Sequence, residues 1–395
     1  MDVSVTEVKE TVGSQKMPKT YEDNKDFISY LPDPILVHIL SFLPLRDAIK
    51  TVLFRQFGNL WISMPVLDLD NCLYHEYEDY DFLLDCDYDN FMDVIHQVCN
   101  HHNNTTLDKL HLKLCFEQHS KNGPASDYAE EKERAAADQI ENLVVHAISR
   151  KVKILDLDFK CRAISGSMDP LAFYEFPDLF RSNYLTDLRL ASCDIRSFEE
   201  IYLPALRVLF LEEVLRSYDS ISRLLQEVRR CKTFTPCTLS ILVLSIWKLK
   251  KIPCPRFEWK NLRLTLDLTK WHHLGLALLL KSSQTLETLS MYISHNRFGI
   301  SQFVKAAHWI QDYEFNVQKY WDLQEAEFPF LESITVHGDV NEPSVIQVMK
   351  FLLKSAPRLR KMVISAKNLY PAASGRKNDP YSKATDRAIA EVDGP

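Results

Sequence analysis

A chain of 395 residues with 46% hydrophobic content is long for one ordinary core and suits a small domain followed by a large one. Its 9 glycines argue against the Gly-rich phosphate loops and dinucleotide-binding turns, which need glycine where backbone closely approaches a ligand. A net charge of −7 and a pI near 6.0 leave no basic face of the kind that binding to nucleic acid requires.

The opening residues, 1–20, contain no apolar run, so no signal peptide is expected there. The apolar stretch Leu274 to Leu280 is too short to span a membrane. The 9 cysteines are scattered, odd in number and free of CxxC spacing, which fits a reducing, intracellular compartment, nucleus or cytoplasm. Most are expected to be buried thiols, and the sequons at Asn103 and Asn104 then carry no meaning. Residues 1–25 are polar and charged and read as a disordered leader.

Residues 26–66 form a dense apolar segment. Leu31-Pro32-Asp33-Pro34 reads as a helix start, with Asp33 as N-cap and Pro34 at the first helical position. Ile35, Leu36, Ile39, Leu40 and Leu43 follow at helical spacing until Pro44 stops the run. Arg46–Phe54 and Gln56–Ile62 predict two further short helices, so the segment is a compact three-helix unit.

An acidic linker and a first helix are expected over 67–106. Asp68 to Asp93 holds ten carboxylates and no Lys or Arg, which reads as a solvated loop or, more sharply, as a docking patch for basic partners. Asp85, Asp87 and Asp89 begin a calcium-loop pattern, but Asn90 stands where Gly is needed and His96 where Glu is needed. Cys99, His101 and His102 lack a second Cys/His pair at zinc spacing, as do His272 and His273, so no metal or cofactor is expected. No G-x-S-x-G, H-E-x-x-H or P-loop motif is present, and no catalytic residue is assigned.

From residue 107 to 369 a short pattern, L-x-x-L-x-L with Val, Ile or Met allowed, keeps returning. It occurs at Leu107/Leu110/Leu112, Val152/Leu155/Leu157, Leu185/Leu188/Leu190 and Leu206/Leu209/Leu211. Further copies are Leu239/Leu242/Leu244, Leu286/Leu289/Met291, Leu331/Ile334/Val336 and Leu359/Met362/Ile364, with a looser strand at Leu262/Leu264/Leu266/Leu268. Cys115 and Cys193 stand at the ninth place of two copies. The last two apolar positions of each copy share one face of a short strand, and the first packs inward from the turn before it. One unit cannot bury its own leucines; stacked units build a continuous core and a parallel sheet. The starts lie 21 to 47 residues apart, so the solenoid is irregular, with insertions. Helices are predicted at Asp127–Ser149, Ser217–Cys231, His273–Ser283 and Ser344–Ser355, and a frayed tail over 370–395. The fold class is α/β: a small three-helix unit, then an irregular leucine-rich-repeat solenoid with a parallel sheet.

Several motifs resemble the plant F-box family. They are Leu31-Pro32-Asp33, Ile39-Leu40-Ser41-Phe42-Leu43-Pro44, Asp47-Ala48, Thr51-Val52-Leu53 and Asn59-Leu60-Trp61, followed by the strand-like Val66-Leu67-Asp68-Leu69-Asp70. Residues 326–369, with Phe328-Pro329-Phe330-Leu331-Glu332 and Ala356-Pro357-Arg358-Leu359, are similar to the FBD-type region that ends many such proteins. The chain departs from the family at Phe54-Arg55-Gln56-Phe57-Gly58, where a cation and a Trp are usual and where Gly58 falls in an expected helix at a cost of about 1 kcal/mol.

The resemblance implies a non-catalytic substrate receptor of a Skp–cullin–F-box ubiquitin ligase. Its partners would be a Skp-type adaptor, through it a cullin, and an unidentified protein substrate, with no nucleic acid and no membrane. The family pattern assigns adaptor binding to Leu31, Pro32, Ile35, Ile39, Leu43 and Leu53. Outward positions between and just after the strand leucines, Arg189, Phe210, Glu212 and Tyr292, are the expected substrate contacts. Alternatives are a repeat protein whose degenerate F-box no longer binds the adaptor, or a repeat-fold sensor of a small ligand.

Overall fold

The structure, a computed structural model, describes residues 28–51, 57–70, 88–103, 106–114, 116–117, 127–159, 161–162, 177–191, 193, 200–212, 218–266, 268–293, 316–365 and 389–393. The polar leader, Leu53, Gln56, the acidic residues 71–87, Cys115 and most of the tail lie outside the described residues.

The backbone of the molecule is an 11-stranded sheet whose spatial order follows chain order. Its strands are Val66–Asp70 (β1), Lys109–Lys113 (β2), Ile154–Asp158 (β4), Asp187–Ala191 (β6), Val208–Glu212 (β7) and Thr233–Thr235 (β8). It continues through Asn261–Leu266 (β9), Thr288–Ile293 (β10), Ser333–Gly338 (β11), Lys361–Ser365 (β12) and Ile389–Asp393 (β13). Phe116–Glu117 (β3) and Cys161–Arg162 (β5) form a separate parallel pair. Neighbours from β1 to β12 are parallel, as expected when every coil of a solenoid returns in the same sense.

One register explains the sequence pattern. Leu67, Leu110, Leu155, Leu188, Leu209, Phe234, Leu262, Leu289, Ile334 and Met362 are paired strand to strand in one unbroken row, and all are buried. Three residues before each lies the residue that packs in from the preceding turn: Met64, Leu107, Val152, Leu185, Leu206, Cys231, Trp259, Leu286, Leu331 and Leu359. All but Leu359, which is partly buried, are buried.

The coil at Leu239/Leu242/Leu244 corrects the sequence reading. Those residues lie in a helix, Thr238–Lys250, and not in a strand. The strand of that coil is β8, with Cys231 and Phe234 in the places of the motif's first two leucines. Its stretch Ser240–Trp247 is buried at every position, so apolar residues recur there on every side of the helix. A leucine-rich buried helix produces the L-x-x-L-x-L spacing by composition alone.

Helices line the other side of the strands. They are Tyr88–His101 (α3), Asp127–Ser149 (α4), Tyr218–Glu227 (α5), Thr238–Lys250 (α6), Lys270–Ser282 (α7), Val317–Asp322 (α8) and Pro343–Ser355 (α9). The predicted helices therefore stand, with ends shifted by a few residues in three of the four cases. α6 and α7 come close enough that a Cβ at Gly275 would meet the Ile241 carbonyl oxygen at 1.9 Å. Ser245 Oγ fills the seam and accepts from the Gly275 N–H at 2.8 Å.

The stretch read as a frayed tail contains β13, which pairs antiparallel with β12. A parallel sheet leaves its last strand with unpaired backbone groups, and such an edge recruits any extended segment within reach.

The N-terminal unit consists of helices Asp33–Leu40 (α1) and Leu45–Lys50 (α2) and a 3-10 turn at Leu60–Ser63. α1 begins one residue earlier than expected, with Pro32 as N-cap and no side-chain cap. Where a third helix was predicted over Gln56–Ile62, Phe57–Asn59 is a turn leading into the 3-10 segment. Gly58 has φ 37 in that turn, a conformation glycine adopts without a Cβ penalty, so the helix-interior cost does not arise.

This unit joins the solenoid core directly. Leu40, Leu45, Ala48, Trp61 and Met64 belong to one apolar cluster that runs on through Leu67 and Leu110 to Met362. Backbone hydrogen bonds from Asn103 to the Ile62 carbonyl (2.9 Å) and from Asp108 to the Pro65 carbonyl (2.7 Å) hold it to the first coil.

Candidate functional site

Two surfaces stand out. The first is the outer side of α1. Helical spacing puts Leu36 and Leu40 on one face, where they are 2% and 1% exposed. The 3-10 turn carrying buried Trp61 packs against this helix. The adjoining face, about 100° round the helix, carries Ile35 and Ile39, 46% and 39% exposed, and the following turn carries Phe42 and Leu43 at 75% and 37%. Ile28 and Tyr30 add exposed apolar surface just before the helix. Six large apolar residues on so short a segment form an exposed apolar patch. Of the sequence-assigned positions, Pro32, Ile35, Ile39 and Leu43 are exposed here and Leu31 is half-buried. Leu53 lies outside the described residues. Tyr30 and Phe42 were not assigned from the sequence.

The second surface is the side of the sheet facing away from the helices. In the first half it is charged and internally paired. Asp68 and His111, opposite one another on β1 and β2, are bonded at 2.7 Å, and Asp70 meets Lys113 at 3.2 Å. The hydrogen bond to His111 holds the Asp68 carboxyl below the usual carboxylate range, and that same bond raises the His111 imidazole above its ordinary value despite burial. The same row continues through Asp156 and Arg189 to Phe210. Arg189 is exposed, whereas Phe210 and Glu212 are half-buried.

In the second half two adjacent rows of this face, Arg263–Ser290–Thr335 and Thr265–Tyr292–His337, bring aromatic and cationic side chains together. The Arg263 guanidinium lies over the Tyr292 ring, 4.5 Å from its centroid. Tyr292 in turn stacks on His337 at 5.0 Å, with the rings 24° apart. Burial and the nearby Arg263 lower the basicity of His337. The structure thus places Arg189, Phe210 and Glu212 together and Tyr292 on a different part of the face. Arg263 and His337 were missed, although register finds them. Arg263 stands between Leu262 and Leu264 as Arg189 stands between Leu188 and Leu190, and His337 follows Val336 as Tyr292 follows Met291.

The histidines weighed as zinc ligands have other work. His102 is buried and pairs with His146 from α4. His272 caps the start of α7 with Thr269, and His273 Nδ1 accepts from the Trp321 indole N–H at 3.1 Å. Among the described residues no His/Cys/Asp/Glu group could hold a metal ion. Burial pushes the Cys99 thiol up to about 11 and Cys231 up to about 12, so neither is a thiolate nucleophile at neutral pH. No described helix is long and apolar enough to cross a membrane.

No protein-family model matches the chain. It is similar to several curated proteins of Arabidopsis thaliana. An F-box/LRR-repeat protein is 30% identical over 190 residues, which is 48% of this chain and 34% of that protein. An FBD-associated F-box protein is 28% identical over 202 residues, 51% of this chain and 38% of that protein. A putative F-box/LRR-repeat protein is 28% identical over 274 residues, 66% of this chain and 47% of that protein. The chain spans about a third to about half of the length of these relatives. They and the F-box/FBD/LRR-repeat proteins matched at 25% and 27% identity are homologues of this chain.

Proposed function

We propose that this homologue of Arabidopsis F-box/LRR and F-box/FBD/LRR proteins is the substrate-recognition subunit of a Skp–cullin–F-box ubiquitin ligase, acting in the nucleus or cytoplasm. In this reading residues 26–66 are an F-box, with α1, α2 and the 3-10 turn serving as its three helical elements. Residues 107–369 are the receptor, with 326–369 as its FBD-like end. The chain supplies no catalytic group. It raises the effective concentration of substrate beside a ubiquitin-charged enzyme carried by other subunits.

The observation that carries this reading is the divided apolar stripe of α1. Leu36 and Leu40 complete the unit's own core, while Ile35, Ile39, Phe42 and Leu43 are left over. A helix that needed only to fold would not carry both faces. The surplus face suits a Skp-type adaptor, which would bind at Leu31, Pro32, Ile35, Ile39, Leu43 and Leu53. The directness of the core connection supports a rigid arm between adaptor and receptor, since Trp61 and Met64 pack in the same cluster as Leu67. The turn at Gly58 supports an intact rather than a degenerate unit.

Capture of purified Skp-type adaptor by the full chain tests this. The native chain should retain adaptor, and the double change Leu31→Ala, Pro32→Ala should lose it. Failure of the native chain to capture any adaptor would leave a repeat-containing interaction protein as the better description.

A further inference from the structure

The outward face of β9–β12 differs in charge from the rest of the molecule. In a chain of net charge −7, none of the outward positions on these four strands carries a carboxylate. Ser, Thr and Asn supply most of them, with Arg263, Tyr292, His337 and Lys361 as the large side chains. Glu287 and Glu332 lie just before the strands and are each engaged by a cation, Lys260 and Arg360. By contrast, the outward face of β1–β7 carries Asp68, Asp70, Asp156, Asp158, Asp187 and Glu212 against the cations Lys109, Lys113 and Arg189.

Arg263 is exposed, makes no ion pair among the described residues, and lies over the Tyr292 ring with His337 close by. That ring is held in turn by His337, neither of whose nitrogens is hydrogen-bonded among the described residues, and whose Nδ1 is buried. The position of His337 is set by its neighbour. Gly338 has φ 105, and a Cβ there would meet the Ile293 carbonyl oxygen at 2.0 Å, so only glycine lets β11 run this close beside the end of β10. A guanidinium fixed flat on an aromatic ring loses less freedom on binding an anion than a free one does.

We infer that the Arg263–Tyr292–His337 cluster is the docking point for an acidic segment of the protein that the solenoid recruits, with a side-chain carboxylate taken by Arg263. The inference rests on the receptor reading and adds to it the chemistry of the partner. Charge selects the occupant. The outward face of β9–β11 carries Arg263 and no carboxylate, the carboxylates Glu391 and Asp393 of β13 standing beyond it opposite Val363 and Lys361 of β12, and this favours an acidic chain over a basic one.

The test uses the full chain and three labelled probes: a decamer of glutamate, a decamer of lysine and a decamer of uridylate. The glutamate decamer should bind best, with affinity falling as salt is raised. Arg263→Gln should weaken it about tenfold, as expected for the loss of one charge-assisted contact. Tyr292→Ala should weaken it too, and Lys248→Gln, exposed on α6 on the helical side of the sheet, should change it by less than about twofold. Melting curves on the same preparations identify any variant that fails to fold, and the exposed Arg263 leaves one that should not. Equal losses from Lys248→Gln and Arg263→Gln, an unaffected Arg263→Gln, or tighter binding of the uridylate decamer would overturn the inference. Adaptor capture on the same samples is a separate readout, so a chain that binds the glutamate decamer but no adaptor retains this site and loses the ligase role.

Discussion

His102 Nδ1 and His146 Nε2 face one another at 3.3 Å between α3 and α4. His102 Nε2 is also 2.8 Å from the Met64 carbonyl oxygen, which can only accept. His102 therefore carries its proton on Nε2, offers Nδ1 as acceptor, and needs a proton on His146 Nε2. Both rings are neutral in this arrangement, and it ties the end of the N-terminal unit to the first two helices of the solenoid.

Acid should weaken that tie. Burial lowers the basicity of both rings, and the neighbouring Arg150 lowers it further; His146 is brought down to about 4. A histidine with a depressed folded-state value contributes stability that is complete above the unfolded value of 6.5 and lost as pH falls toward the folded one. His273, also at about 4, acts in the same sense. Urea midpoints measured from pH 7.5 to 4.5 should fall steadily below about 6.5. His146→Gln keeps a donor for His102 and removes one titration, so its curve should be flatter. Identical slopes for the two proteins would contradict the pairing.

The α6–α7 seam should not tolerate a methyl group. Gly275→Ala would place a Cβ 1.9 Å from the Ile241 carbonyl oxygen, in contact with backbone that cannot rotate away. Overpacking of this kind costs about 1–3 kcal/mol. The melting temperature should drop by several degrees. A melting temperature equal to that of the native chain would mean the helices sit further apart than described.

Trp259 marks what the sequence hid. It occupies the place that leucine holds in most other coils, fully buried, stacked on Phe257 at 3.9 Å and bonded through its indole N–H to the Val228 carbonyl at 3.0 Å. Trp259→Ala should cost about 3–5 kcal/mol, near the top of the range for core truncations. An effect under about 1 kcal/mol would remove it from the inward row.

The same residue explains how far the fold was legible. Coils that use leucine at every inward position, such as Leu188 and Leu209, could be counted by eye. The coil that uses Cys231 and Phe234 could not, and that of Trp259 was legible only through its strand at Leu262, Leu264 and Leu266, because the row requires burial and not leucine. Read by motif, one strand was drawn through α6 and β8 was missed. The binding faces were half legible for a similar reason. Alternation identifies every outward residue once strands are placed, but contact between strands 29 or more residues apart, as between Arg263 and Tyr292, depends on register. The split of α1 was visible as a stripe; which half of it is exposed is decided by Trp61 from beyond the described helices.

The Asp68–His111 pair should be visible in solution. A histidine whose folded-state value is raised contributes stability that is present below about 6.5 and fades as pH rises through the folded value. Asp68→Asn should bring the His111 titration midpoint down, since the bond to Asp68 is the largest cause of its elevation. Titration of the His111 ring protons by NMR checks this. An unchanged midpoint would show that Asp156 and not Asp68 holds the proton in place.

The two faces of α1 should respond in opposite ways. Ile35 and Ile39 keep 46% and 39% of their surface in water, so Ile35→Asp with Ile39→Asp removes far less packing than a core truncation and should lower the melting temperature by only a few degrees. It should nonetheless abolish adaptor capture, because a charged group would then have to be buried at the docking surface without a partner. Leu36→Ala should do the reverse. That side chain is buried beside the 3-10 turn, and its loss should cost about 2–5 kcal/mol while the outer face keeps its chemistry. Adaptor capture at low temperature should survive in Leu36→Ala and weaken only as the unit melts. If both variants lose stability together, or if the double aspartate variant still captures adaptor, the docking face is not the outer side of α1.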